Sequence, residues 1–300
     1  MSTTESTRCG LVAIVGRPNV GKSTLLNALV GEKISIVTDK PHTTRQRVLG
    51  VLNRGADQAV FIDTPGHARR TKRALHRLMA RQIHQAVEDC DVALLVVEAT
   101  GLTRQDYELM EILGDKLDRT LLLLNKIDAL KSKTELLPQL TKLADKPFAA
   151  LIPVAALTHD NLDRLITEIF ARLPEGPALF PQGMVTDRDL AFRVAEVIRE
   201  KLMTLVYKEV PYGLTVEVEH LGTNEEGQRV VHGLIWLERD SHKSIVIGKQ
   251  GHVLKQAGTA ARLELKELLG ERVHLELWVK VRAHWADSER ELQRLGFDVS

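Results

Sequence analysis

A chain of 300 residues with 44% hydrophobic and 27% charged residues has the balance of a soluble globular protein of one large domain or two. Its two cysteines, Cys9 and Cys90, exclude a framework of structural disulfides and point to a reducing, cytoplasmic setting. Net charge is +1 and selects no partner, no apolar run approaches the ~20 residues that cross a bilayer, and the polar start MSTTESTR reads as no signal peptide. Charge is nevertheless uneven: 40–82 carries ten Lys/Arg against two acids, and 83–119 nine acids against three bases. That asymmetry can create an anion-attracting face, although a basic helix from Arg69 to Arg81 solvating its own surface explains it equally well.

The first predicted strand, 11–15, runs into Gly16-Arg17-Pro18-Asn19-Val20-Gly21-Lys22-Ser23, followed by Thr24 and a helix from Lys22 to Val30 that ends at Gly31. Strand, glycine-rich turn and helix are the context in which G-x4-GK[ST] holds a triphosphate. The glycines let several backbone N–H groups converge on one anion, and the helix N-terminus adds positive potential. Lys22 is placed to reach the β/γ-phosphates and Ser23 to hold Mg2+.

Between Lys40 and Arg47 lies a polar loop, Pro41-His42-Thr43-Thr44-Arg45, in the place of switch I. One of its threonines is expected to bind Mg2+, with Thr44 preferred. Strands at 48–52 and 59–62 follow, and the second ends in Asp63-Thr64-Pro65-Gly66. A carboxylate there can hold Mg2+ through water, and the Gly66 N–H can sense the γ-phosphate. Hydrolysis would therefore rest on Lys22, Thr44 and Gly66. His67 stands where Ras-like switches carry a water-orienting glutamine, which predicts slow intrinsic turnover.

Helices near 70–88, 104–116, 133–144 and 160–172 alternate with strands at 92–97, 120–124 and 149–154, the pattern of a doubly wound, mostly parallel α/β sheet with ligands at the strand carboxyl ends. Asn125-Lys126-Ile127-Asp128 sits at one such end. The Asp128 carboxylate can accept from the N1–H and exocyclic amine of guanine, and the Lys126 stem can pack along the base. Adenine offers neither donor, so the nucleotide is GTP or GDP. Ala155-Ala156 stands where Ser-Ala usually holds the guanine carbonyl through a backbone N–H.

Pro174, Gly176, Pro177, Pro181 and Gly183 mark a linker at 174–183 between a nucleotide domain (1–173) and a second domain (184–300) of α+β type. The latter predicts a helix at 189–206, a hairpin of 214–219 and 230–237, a helix-rich stretch at 241–269, a long strand at 275–282 and a charged helix at 286–295. Gly248-Lys249-Gln250-Gly251 is a GXXG loop between helices, where a nucleic-acid backbone approaches closely and lysine meets a phosphate. From 181 to 300 there are 17 bases and 19 acids, so binding would rely on a local patch, Lys243, Lys249, Lys255, Arg262 and Lys266, rather than bulk charge. Trp278 can stack a base, although packing is the commoner fate of a tryptophan.

The four nucleotide motifs, Thr43-Thr44-Arg45, the Lys201-Leu202-Met203 helix, Val246 to Gly251 and His274 to Val281 together resemble the translation-factor-related GTPases, and within them the Era family, over almost the whole chain. The resemblance implies a P-loop nucleotide domain followed by a type II KH domain. It also implies a ribosome-assembly GTPase acting on the 3′ end of small-subunit ribosomal RNA, expected as a monomer, with peripheral contact to the inner membrane. By the same resemblance Asn19 is a candidate for coordinating potassium. A GTPase whose second domain engages a protein or membrane instead of RNA is the alternative.

Overall fold

The computed structural model describes residues 7–67 and 73–299. Among them two compact units form, one of 7–35, 44–67 and 76–187, the other of 36–43, 73–75 and 188–299. The chain thus passes from the second unit back to the first between Thr43 and Thr44, inside the polar loop read as switch I. The start of the basic stretch, Arg69 to Lys72, lies outside the described residues.

In the first unit, β1 (Cys9–Val15), α1 (Lys22–Val30), β2 (Val48–Arg54), β3 (Asp57–Asp63), α2 (Ala74–Asp89, of which the first unit takes His76 onward), β4 (Val92–Glu98), α3 (Arg104–Leu113), β5 (Thr120–Asn125), α4 (Leu137–Leu143), β6 (Ala150–Pro153) and α5 (Leu162–Phe170) follow one another. The six strands are ordered β2-β3-β1-β4-β5-β6. All neighbours are parallel except β2, which turns back on β3 through Gly55 and pairs antiparallel along its full length. Val92 to Val97 are all fully buried, as an unbroken apolar run must be when both sheet faces are covered. The order β3-β1-β4 puts the strand-order reversal beside β1, the crevice where open α/β sheets hold ligands.

Two predicted helices are shorter than their apolar patterns. The 104–116 segment stops at Leu113, because Gly114 turns to φ 55, and continues as 3-10 helix. The 133–144 segment is 3-10 helix up to Leu136, with Pro138 opening α4. Proline lacks the N–H that an uninterrupted helix would need there.

The second unit holds α6 (Leu190–Leu205), β7 (Leu214–Thr223), β8 (Arg229–Leu237), α7 (Lys243–Ile247), α8 (His252–Leu269), β9 (Val273–Val281) and α9 (Glu289–Arg294). β7 and β8 form the expected hairpin, and β9 adds parallel to β8. Val231, Ile235, Leu237 and Val273 pack in one core with Val194, Ile198 and Leu202 of α6 and Ala257, Ala261 and Leu265 of α8. The helix-rich stretch is broken at Gly248 and Gly251, whose φ values of 74 and 76 lie in the left-handed region.

Candidate active site and nucleic-acid interface

The phosphate loop is built on glycines that nothing else could replace. A Cβ on Gly16 would lie 2.6 Å from the Val96 carbonyl oxygen, and one on Gly21, at φ 97, would lie 2.4 Å from the Asn125 amide. Gly66 is equally enclosed, its Cβ position being 2.9 Å from the backbone of Pro18. Lys22 is buried, and its ammonium donates to the carbonyls of Gly16 and Arg17, both at 3.0 Å. Burial lowers its pKa to about 8, with Arg17 adding to the fall and Asp63 opposing it.

Three hydroxyls converge on one buried carboxylate. Asp63 Oδ2 accepts from Ser23 at 2.8 Å, Ser35 at 2.9 Å and Thr44 at 3.4 Å, and the Ser23 and Thr44 hydroxyls lie 2.8 Å apart. Among the described residues, Asp63 Oδ1 is buried with no hydrogen-bond partner. Burial pushes the Asp63 carboxyl up, against the pull of Lys22 and of the hydroxyl hydrogen bonds. A hard divalent cation takes oxygen ligands of this kind and would satisfy the orphaned oxygen. The geometry also separates the two threonines: Thr43 Oγ1 bonds to Thr38 Oγ1 at 2.6 Å and to the Lys40 carbonyl at 2.7 Å, away from Asp63. Ser35 carries no motif, and only the fold brings it to this carboxylate.

Asn125 ties the base loop to the phosphate loop. Its amide donates to the Val20 carbonyl at 2.7 Å, while its oxygen accepts from the Ala156 N–H at 3.0 Å. The Ala155 N–H donates to the Asp160 carbonyl. Both backbone groups expected at the guanine carbonyl therefore serve the protein, and a base entering here must share or displace one of them. Glu98, which no motif announced, bridges Arg17 and Lys126, each at 2.5 Å. Burial pushes its carboxyl up, but the hydrogen bonds and charges of Lys126 and Arg17 outweigh that, leaving it below its ordinary range. Asp128 is exposed at the mouth of this loop, and Asn19 is exposed in the phosphate loop at φ 65. Thr64 is anchored by its hydroxyl on the Ile14 carbonyl at 2.8 Å, which keeps the Thr64-Pro65-Gly66 turn against β1.

In the second unit, a Cβ on Gly248 would lie 2.9 Å from the Val253 backbone nitrogen, so the loop can close only with glycine there. Lys249 and Gln250 are exposed at its tip, with Lys243, Lys255, Arg262 and Lys266 exposed on the helices either side. Trp278 does not join them. Leu275, Leu277 and Val279 of β9 pack with the helices, so the strand's period of two turns Trp278 to the opposite face of the sheet. There it sits edge-on against His232, ring centroids 5.2 Å apart. Also within this unit, Arg199, 1% exposed, donates to the Thr43 carbonyl at 2.6 Å, and Glu200 accepts from the Val37 N–H at 2.9 Å. Neither residue belongs to a recognisable motif.

Residues 11–126 match the family described as 50S ribosome-binding GTPase, and residues 209–286 match the KH domain family. The chain is 46% identical to the GTPase Era of Glaesserella parasuis serovar 5, over 98% of this chain and 99% of that protein. Identity to the GTPase Era of Yersinia enterocolitica is 43%, over 99% and 98%. Among solved structures, Aquifex aeolicus Era bound to GDP·AlF4− superposes with a TM-score of 0.94 at 38% identity, covering 98% of this chain and all of that one. Era in complex with MgGDPNP and nucleotides 1506–1542 of 16S ribosomal RNA superposes with a TM-score of 0.93, again at 38% identity and over 98% and 100%.

Proposed function

The chain belongs to the GTPase Era family, and on that premise we propose that it is a GTP-driven switch that binds small-subunit ribosomal RNA near its 3′ end during assembly of that subunit. The observation that carries the nucleotide half is the cluster of Ser23, Thr44 and Asp63 with its orphaned buried oxygen. These three residues would hold Mg2+, which neutralises charge on the phosphates when bound. Lys22 would exchange the Gly16 and Arg17 carbonyls for phosphate oxygens, and the Gly66 N–H would meet the γ-phosphate. Thr44 follows directly on Thr43, whose carbonyl Arg199 holds within the second unit, so order imposed on Thr44 by GTP has a covalent route into the KH unit.

The RNA half rests on the GXXG loop. Replacing Lys249 by Glu is expected to weaken binding of a 3′-terminal small-subunit RNA fragment by about tenfold, the worth of one charge-assisted hydrogen bond. The measurement is a titration of the full chain in the presence of GDP and then of a non-hydrolysable GTP analogue. Tighter binding with the analogue is the expected result, and equal affinity in the two states would sink the switch. We further propose a cytoplasmic monomer with a peripheral membrane-associated fraction; among the described residues no helix is long and apolar enough to cross a membrane.

Potassium is proposed at Asn19, whose exposed side chain sits in the phosphate loop. Hydrolysis is expected to run several-fold faster in potassium than in sodium at equal ionic strength, a difference that Asn19→Ala removes. Equal rates in the two salts would take the assignment away.

A further inference from the structure

GTP hydrolysis needs a group that holds the attacking water, and this chain has no glutamine at the residue after Gly66. It has His67. Two backbone contacts fix that residue beside the phosphate loop: its N–H donates to the Gly16 carbonyl at 3.2 Å, and the preceding Gly66 packs on Pro18. Its ring is held as well. His67 Nε2 lies 3.3 Å from Glu108 Oε2, and the other oxygen of that carboxylate accepts from Arg104 Nε at 3.1 Å. The His67 hydrogen bond, reinforced by Arg104, holds the Glu108 carboxyl below its ordinary range.

A carboxylate can only accept, so Nε2 carries the hydrogen, and in the neutral imidazole Nδ1 then bears the lone pair. We propose that His67 is the catalytic residue that orients the hydrolytic water through Nδ1, and that Glu108 is the positioning residue that selects this tautomer. The inference rests on the GTPase activity of the family and adds the identity of the water-holding group. In the reaction, the water oxygen forms a bond to the γ-phosphorus while the bond to the β,γ-bridging oxygen breaks. The bond's electron pair leaves with GDP. The water proton is accepted at Nδ1 and returned to the departing phosphate, so His67 is unchanged after each turnover.

The test is single-turnover GTP hydrolysis by the full chain with Mg2+, alongside the affinity for GDP. His67→Ala is expected to lower the rate by about 10²-fold, the lower end of what a positioned base contributes, with GDP affinity unchanged. Glu108→Gln is expected to lower it about fivefold, since the amide can donate to Nε2 and favour the wrong tautomer. His67→Gln is expected to restore most of the rate, and adding Glu108→Gln to it should cost nothing further, because glutamine has no tautomer to select. A merely structural Glu108 would slow the parent and the His67→Gln variant alike, and that result would overturn its role. Turnover in the parent that His67→Ala leaves intact would overturn the assignment alone; no turnover in the parent would overturn the premise and the assignment together.

Discussion

Asp128→Asn is expected to lower affinity for GTP by about 10³-fold and to raise affinity for xanthosine triphosphate by a comparable factor, measured by competition against a labelled nucleotide. Guanine presents two adjacent donors, N1–H and the exocyclic amine. A carboxylate accepts both, whereas an amide offers one acceptor and one donor and leaves the guanine amine facing an N–H. Sites built to pair a polar edge discriminate strongly because the wrong partner leaves a desolvated group without its hydrogen bond. Xanthine replaces that amine by a carbonyl and matches the amide. The surroundings support a local effect, since Asp128 is exposed at the loop mouth while Asn125, one turn before it, carries the tethers to Val20 and Ala156. A variant that still binds GTP like the parent would deny the base loop its role.

Lys22→Ala is expected to reduce hydrolysis by at least about 10²-fold, the usual cost of removing one preorganised donor from a developing oxyanion. The same lysine makes nucleotide binding pH-dependent. Its folded, nucleotide-free pKa is about 8, lowered chiefly by burial. Bound phosphates add negative charge and raise it, so the complex holds a proton that the free protein begins to lose near pH 8. Affinity from this group is therefore fully present below pH 8 and falls as pH rises above it. Calorimetry near pH 8.5 in two buffers of different ionisation enthalpy should detect proton uptake on binding GDP, and Lys22→Ala should abolish it. Uptake that persists in the variant would place the titrating group elsewhere.

Much of this was legible in the chain because the chemistry is carried by contiguous residues. Gly16 to Ser23, Asp63 to Gly66 and Asn125 to Asp128 each pack several roles into a few positions, and each follows an apolar run that reads as a buried strand. The GXXG loop is legible for the same reason, as glycines at 248 and 251 answer to local backbone geometry. Trp278 shows where local reading ends. Its place in β9 was plain, but which face it takes depended on the register with β8 and on which face the helices cover. The end of α3 at Leu113 and the start of α4 at Leu137 depart from the apolar pattern, because Gly114 leaves the helical region and Pro138 belongs in the first turn of its helix.

By itself, then, the sequence determined the nucleotide, the order of the strands along the chain and the presence of a GXXG loop, all properties of short segments whose physics is local. Tertiary structure alone decided which threonine meets Asp63, that Ser35 joins it, that Glu98 spans the phosphate and base loops, that Arg199 holds the Thr43 carbonyl, and that His67 has a carboxylate partner on α3. The physical reason is common to all five. Each is a contact between residues far apart in sequence, 28 positions for Ser35 and Asp63, 41 for His67 and Glu108, and 156 for Thr43 and Arg199, and no pattern of neighbours along a chain encodes a distance that only packing creates.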